Sequence, residues 1–419
     1  MPKRSVNKVY IKRIIEGRIS YLSEYFPVVL LTGPRQVGKT TLLQKMSSRD
    51  RKYVTLDNTA DRELAVRDPE TFLQRFSPPV FIDEIQYAPE LLPYIKIYAD
   101  THEGGGHFLL SGSQAFHLMK GVSESLAGRV GIVDMSGLAN SELNGARFPA
   151  FTTSRTELSA RLEKAAPMDI KAVYERIFRG SMPKLCTTDL DHGEFYNSYV
   201  RTYIERDIKN LSQVADELAF FRFLGVAAAR TGSMLDYAAM ANETDVTAPT
   251  VKQWMSLLVS SGVVFLIEPY FNNALKRVVK TPRMYFADTG LAAWLTRWGT
   301  PETLEAGAMS GMFFETWVVS EIYKSYLNAG QRPPLFYYRD SNTREIDLLI
   351  FGDNTVCPVE IKKSANPGTA AVKHFVALRP LKDGRGPLKT EIGPGVVVCL
   401  AGTLRPIDAD NWAVPAWLI

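Results

Sequence analysis

Cysteine is scarce. The chain of 419 residues holds three, Cys186, Cys357 and Cys399. They are far apart and odd in number, which excludes a disulfide framework and a CxxC metal site, so all three read as reduced and structural. Long apolar runs are missing too: nothing approaches the roughly 20 consecutive residues of a membrane span. The basic N-terminus is followed by no apolar h-region or small-residue cleavage site, so the expectation is a cytoplasmic protein without a membrane partner. The five histidines, His102, His107, His117, His192 and His374, show no metal-ligand spacing. A strong charge imbalance is also absent. The net charge of +4 implies no polyanion partner by itself. The local cluster Lys3, Arg4, Lys8, Lys12 and Arg13 reads as a solvated face at the start of a helix. With 46% hydrophobic and 22% charged residues, and neither repeats nor low-complexity tracts, what remains is a globular chain long enough for several domains.

From Pro27 to about Asn140 short apolar runs alternate with amphipathic segments, the pattern of a parallel sheet covered by helices. Strands are expected at Val28–Leu31, Tyr53–Leu56, Val80–Ile82 and His107–Leu110, and helices at Lys39–Met46, Arg62–Asp68 and Glu90–Ala99. A doubly wound nucleotide-binding core follows for residues 1–140. Residues 141–212 read as a helical lid with helices at Ser154–Lys164, Asp169–Phe178 and Phe195–Asn210. Residues 213–280 give three helices and a strand in the order of a winged helix, with Thr247 as N-cap of the third helix, Pro249–Ser260. Residues 281–419 read as a second α/β domain, with a helix at Gly311–Tyr326 and strands at Leu335–Arg339, Glu345–Phe351, Val356–Lys362 and Gly395–Leu400.

The segment Gly33-Pro34-Arg35-Gln36-Val37-Gly38-Lys39-Thr40 satisfies G-x-x-x-x-G-K-[ST] between a strand and a helix. Glycines at its ends let successive N–H groups turn inward on phosphate oxygens, and the following helix, through Thr41, adds its positive dipole end. Lys39 is placed to reach the β- and γ-phosphates of ATP, and the Thr40 hydroxyl to ligate Mg²⁺. The strand Val80–Ile82 ends in Asp83 and Glu84, as needed if Asp83 completes the Mg²⁺ shell and Glu84 polarises the attacking water. Ser111 and Ser113, at the end of the next strand, offer γ-phosphate sensors against a plain serine turn. Arg129 offers an arginine finger, in cis or on a neighbouring subunit, against a surface ion pair.

These stretches, Thr32 to Thr41, Phe81 to Gln86, Leu109 to Gln114 and Ser125 to Arg129, together with Tyr199 to Ile208 and Tyr285 to Leu291, resemble bacterial and archaeal AAA+ ATPases of the AAA_14 type. Members of that family carry a C-terminal DUF4143 domain. The resemblance covers nearly the whole chain. It implies an AAA+ core, a winged-helix element and a restriction-endonuclease-like C-terminal module. It also implies homo-oligomers, a ring among them, in which Arg129 or Arg206 reaches a neighbour's γ-phosphate. It implies no cellular role.

In the C-terminal domain Asp347 stands thirteen residues before Glu360-Ile361-Lys362, the spacing of a PD-(D/E)xK core. Residues two apart on a strand share a face, and an adjacent strand brings Asp347 beside them. Two carboxylates suit Mg²⁺, Lys362 can orient the attacking water, and Glu315 on the preceding helix can complete the acidic set. Three readings stay open here: an active nuclease, a domain that only binds, and chance. The helix Pro249–Ser260 carries only Lys252 as a basic residue, so base readout is poorly supported; a wing through Asn272, Asn273, Lys276 and Arg277 could touch phosphates, or the module could simply pack between its neighbours. Two functions from different classes follow: an ATPase driving a nuclease-like domain on DNA or RNA, or a nucleotide-dependent switch whose C-terminal domain binds a protein partner.

Overall fold

Alternate residues of the first apolar run face opposite ways, Val28 and Leu30 into one core, Val29 and Leu31 into another, as a strand with helices on both sides requires. The computed structural model describes residues 10–112, 121–122, 124–204, 217–270, 281–340, 343–352, 355–378 and 391–419. Strands β1 (Val28–Thr32), β2 (Lys52–Thr55), β3 (Val80–Asp83), β4 (Phe108–Ser111) and β5 (Val130–Asp134) pair in parallel in the order β2-β3-β4-β1-β5. The first four lie within one or two residues of expectation. β5 has no counterpart in the expected strands, because Ile132 is exposed and Gly131 interrupts its apolar run.

Helices α1 (Glu16–Tyr25) and α2 (Lys39–Met46) cover one face through Ile19, Leu22, Leu42 and Leu43. Helices α3 (Thr59–Arg67), α4 (Pro69–Arg75) and α5 (Leu91–Thr101) cover the other through Ala65, Phe72 and Ile95. Asn58 caps α3, and Asp68 caps α4 ahead of a proline at its first position, so local chemistry starts both helices where the sheet needs them.

The lid helices are α6 (Arg155–Leu162), α7 (Ile170–Arg179) and α8 (His192–Tyr199). Next come α9 (Glu217–Ala229), α10 (Tyr237–Thr244) and α11 (Ala248–Ser260), the last capped by Thr247. Strands β6 (Val264–Pro269) and β7 (Arg283–Phe286) then form an antiparallel hairpin, Ile267 opposite Arg283. Residues 271–280, with the wing positions Asn272, Asn273, Lys276 and Arg277, lie outside the described residues, as do Lys3, Arg4, Lys8, His117, Ser113, Arg206 and the end of the expected helix Phe195–Asn210.

The far end of β6 pairs with β8 (Leu335–Arg339), so the hairpin belongs to the C-terminal sheet. That sheet continues through β9 (Glu345–Phe351), β10 (Thr355–Lys362), β12 (Gly395–Cys399), β14 (Asn411–Pro415) and β13 (Arg405–Pro406), with β11 (Glu391–Ile392) beside β10. The expected boundary at 280 therefore falls inside a hairpin. Of the helices that follow, α12 (Thr289–Leu295) and α13 (Ser310–Asn328) close the arrangement. α13 is bonded to the N-terminal region: Lys324 donates to the Leu138 carbonyl at 2.9 Å, and Glu321 accepts from the Asn140 N–H at 2.9 Å. One apolar core runs from α1 through the lid and α13 to Val414. Among the described residues no helix is long and apolar enough to cross a membrane.

Candidate functional site

At the C-terminal edge of β1 the chain turns through Gly33, Gln36 and Gly38, all with left-handed φ (136°, 60° and 97°), which favours glycine at the two ends. Gly33 has no room for a side chain, since an added Cβ would stand 2.0 Å from the Met135 carbonyl oxygen. Lys39 opens α2 and is buried, its Nζ donating to the carbonyls of Gly33 and Pro34 at 2.8 Å each. Burial pushes its ammonium down to about 8, with Glu84 and Asp83 pulling the other way. Neutral carbonyls are weak partners for a buried cation; phosphate oxygens in this loop would be stronger ones.

Thr40 Oγ1 donates to both oxygens of Asp83 at 3.0 Å. A hydroxyl and a carboxylate so placed form an oxygen-only donor pair that fits a hard divalent cation. Asp83 also accepts from Ser111 Oγ, and from the Tyr53 hydroxyl at 3.4 Å. Burial raises its carboxyl above the ordinary value, against the pull of the Ser111 and Thr40 hydrogen bonds. Ser111 is fully buried and also accepts from the Glu84 N–H at 3.4 Å, so it positions the two acids. Glu84 has a φ of 59° and accepts from Gln86 Nε2. Arg35 donates to the Tyr87 hydroxyl at 3.3 Å, and Thr41 is exposed on the first turn of α2.

In the C-terminal sheet β9 and β10 are antiparallel neighbours. Lys362 Nζ lies 2.6 Å from Glu360 and 4.0 Å from Asp347, and Asp347 accepts from the Ile361 N–H at 2.9 Å. Glu315, on α13, faces the same cluster, and its carboxyl is pushed up to about 7, by burial first and then by Asp347. The four expected residues thus meet. Between them stands a residue the motif does not include. Arg283 Nη1 lies 3.3 Å from Glu315 and 3.8 Å from Asp347, and Nη2 pairs with Glu345. Among the described residues no group of three or more His, Cys, Asp or Glu is arranged to hold a metal ion.

Residues 25–144 match the family described as AAA domain, AAA_14, and residues 310–419 the domain of unknown function DUF4143. The chain carries a nucleotide-binding AAA_14-type ATPase domain followed by DUF4143. A further domain of unknown function, DUF8612, matches residues 170–302 and takes in the whole β6–β7 hairpin. Two uncharacterised mycobacterial proteins, Rv2008c of Mycobacterium tuberculosis and Mb2031c of Mycobacterium bovis, are each 29% identical over 346 residues, 81% of this chain and 71% of theirs. A solved Walker-type ATPase of Pyrococcus abyssi is 15% identical, covering 70% of this chain and 98% of its own, with a TM-score of 0.40.

Two supports of the ATPase loop went unread in the sequence. Arg13, grouped there with a solvated basic face, is buried at 3% exposure. Its Nε lies 3.1 Å from both oxygens of buried Glu142, Nη1 donates to the Val37 carbonyl at 3.2 Å, and Nη2 to Ser136 and Gly137. It ties the phosphate loop to the segment after β5. Arg13 and Glu142 are 129 residues apart, and no local spacing marks such a pair. The second support is Gly262, in the turn between α11 and β6, where an added Cβ would stand 2.8 Å from Pro34 Cγ. The DUF8612 region rests directly on the loop.

Arg129 precedes β5, and its carbonyl accepts from the N–H of Val28 at 3.3 Å. This is the N-terminal edge of the sheet, and β1 carries the phosphate loop at its other end, about 13 Å away at 3.3 Å per residue. A finger in cis is therefore corrected: the side chain is ion-paired to Asp100, Nη2 to Oδ2 at 3.0 Å, and faces away from its own loop.

Proposed function

We propose that this chain is a Mg²⁺-dependent ATPase whose nucleotide state governs a C-terminal domain built like a restriction-type nuclease, acting on DNA or RNA. The observation that carries it is Thr40 hydrogen-bonded to Asp83 beside buried Lys39, a hydroxyl, a carboxylate and an ammonium converging at a helix N-terminus. The N–H groups of Gly33 and of Arg35 to Thr40 cradle the phosphates, and Lys39 balances the β- and γ-oxygens. Thr40 and Asp83 would hold Mg²⁺, which supplies neutralisation of phosphate charge. Glu84 orients the attacking water and draws its proton. The helices α9 to α11 with the hairpin are read as a winged helix, whose third helix offers only Lys252 as a cation and so suits phosphate contact over base readout.

The presence of Arg283 among the acids favours a second reading, a nucleotide-dependent switch whose DUF4143 domain does not cut and binds a protein partner. Turnover measured with and without single- and double-stranded DNA and RNA, beside a cleavage gel with Mn²⁺, separates the two. Stimulation, or cutting lost in Asp347→Ala with ATP turnover intact, supports the first. Neither effect with any nucleic acid refutes it in favour of the switch.

Homo-oligomerisation is part of the proposal: from the far edge of the sheet Arg129 would act on a neighbour's phosphates, against the surface ion pair with Asp100; the other candidate finger, Arg206, lies outside the described residues. Lys39→Ala keeps its arginine and loses its site, while Arg129→Ala does the reverse. Mixing the two inactive variants is expected to restore turnover by at least tenfold, as a finger contributes about 10³-fold or more. Arg129→Ala fully active by itself would remove Arg129 from this role.

A further inference from the structure

The acidic cluster of DUF4143 already contains a cation, and it comes from another element of the fold. Arg283 stands on β7, is 7% exposed and lies over the Tyr337 ring at 5.0 Å. It contacts Glu315, Asp347 and Glu345, and two of these three belong to the set expected to take a divalent ion. A guanidinium and a metal cannot share those oxygens. The fourth acid supplies an independent sign. Glu360 is 7% exposed; one of its oxygens pairs with Lys362, and the other, Oε2, is buried with no hydrogen-bond partner. A carboxylate oxygen left bare in the interior is costly and marks a position where a ligand is accommodated. Four acids here face three cations, Arg283, Lys362 and Arg339, which lies 3.6 Å from Glu345.

We propose that Arg283 is a resident cation that closes this site to divalent metal, and that the site accepts a divalent ion once the guanidinium is removed. The inference rests on the nuclease-like reading of Glu315, Asp347, Glu360 and Lys362. It turns on competition between two cations for Glu315 and Asp347.

The test is Mn²⁺ binding to the full chain without nucleotide or nucleic acid, followed by loss of the free-ion electron paramagnetic resonance signal. Arg283→Met and the more polar Arg283→Gln are expected to gain one Mn²⁺ site at least tenfold tighter than any in the unmodified chain, and to lose it when Asp347→Ala is added. Where either variant folds poorly, its melting temperature should rise with Mn²⁺ in an Asp347-dependent way. Equal, Asp347-dependent binding by the unmodified chain overturns the proposal, and so does a variant set that neither binds nor responds to Mn²⁺. Mn²⁺ bound by the Arg283 variants without any cleavage refutes the nuclease activity and leaves the closure standing; tight Mn²⁺ binding and cleavage by the unmodified chain do the opposite.

Discussion

Glu84→Gln is expected to bind ATP normally and to lower turnover by about 10² to 10⁴-fold, the usual range for removing a general base. The change keeps the shape of the side chain at a residue held in a left-handed turn and leaves the Asp83–Ser111 pair untouched. Binding should survive, because the loop amides, Lys39 and Thr40 remain. Lys39→Ala is expected to fail one step earlier. Its Nζ reaches across the loop to the Gly33 and Pro34 carbonyls, so its loss should weaken ATP binding itself. Fluorescent-nucleotide titration beside phosphate release distinguishes them: normal affinity with lost turnover for Glu84→Gln, lost affinity for Lys39→Ala. Unchanged turnover in either removes the role given to that residue.

Arg13→Ala is expected to cost about 3–5 kcal/mol, the range for breaking a buried ion pair from one side. Glu142 would stay buried, still accepting from the N–H groups of Ile14 at 2.7 Å and Ala139 at 2.9 Å, but without its counter-charge. The Val37 and Ser136 carbonyls would lose the guanidinium as donor at the same time, and Gly137 would keep only Ser136 Oγ. Against a total stability of about 5–15 kcal/mol this is a large fraction. Urea unfolding should show the loss, and ATP affinity should fall with it because Val37 lies inside the phosphate loop. Arg13→Lys should rescue little, since one ammonium cannot span the groups that the guanidinium fork reaches. A variant as stable as the unmodified chain would place the support of the loop elsewhere.

The contrast between Lys39 and Arg13 shows which parts of this protein can be read from sequence. Lys39, Thr40 and Asp83 belong to short patterns whose meaning is local, a glycine turn before a helix and an acid ending an apolar strand, and the structure brings Thr40 and Asp83 within hydrogen-bonding distance. Buried strands such as Val28–Thr32 announce themselves as continuous apolar runs. Arg13, Gly262 and Arg283 act through partners far away in the chain, and a cation bound for the interior looks the same in sequence as one bound for water. The same blindness put a boundary at 280. The stretch after β6 reads in sequence as a wing that ends its module, whereas the ladder that carries β7 into the C-terminal sheet is visible only once Ile267 and Arg283 are seen side by side.

The hairpin also fixes a length. Gly262 is held against Pro34 at one end, and Ile267, five residues on, pairs with Arg283 at the other, a span of about 17 Å of strand. One inserted residue between them could not be absorbed by slack. It would either lift Gly262 from the phosphate loop or slip the ladder by one place, turning Arg283 to the opposite face of the sheet. Both ends of this stretch are therefore tied to chemistry, and a change in its length reaches both of them.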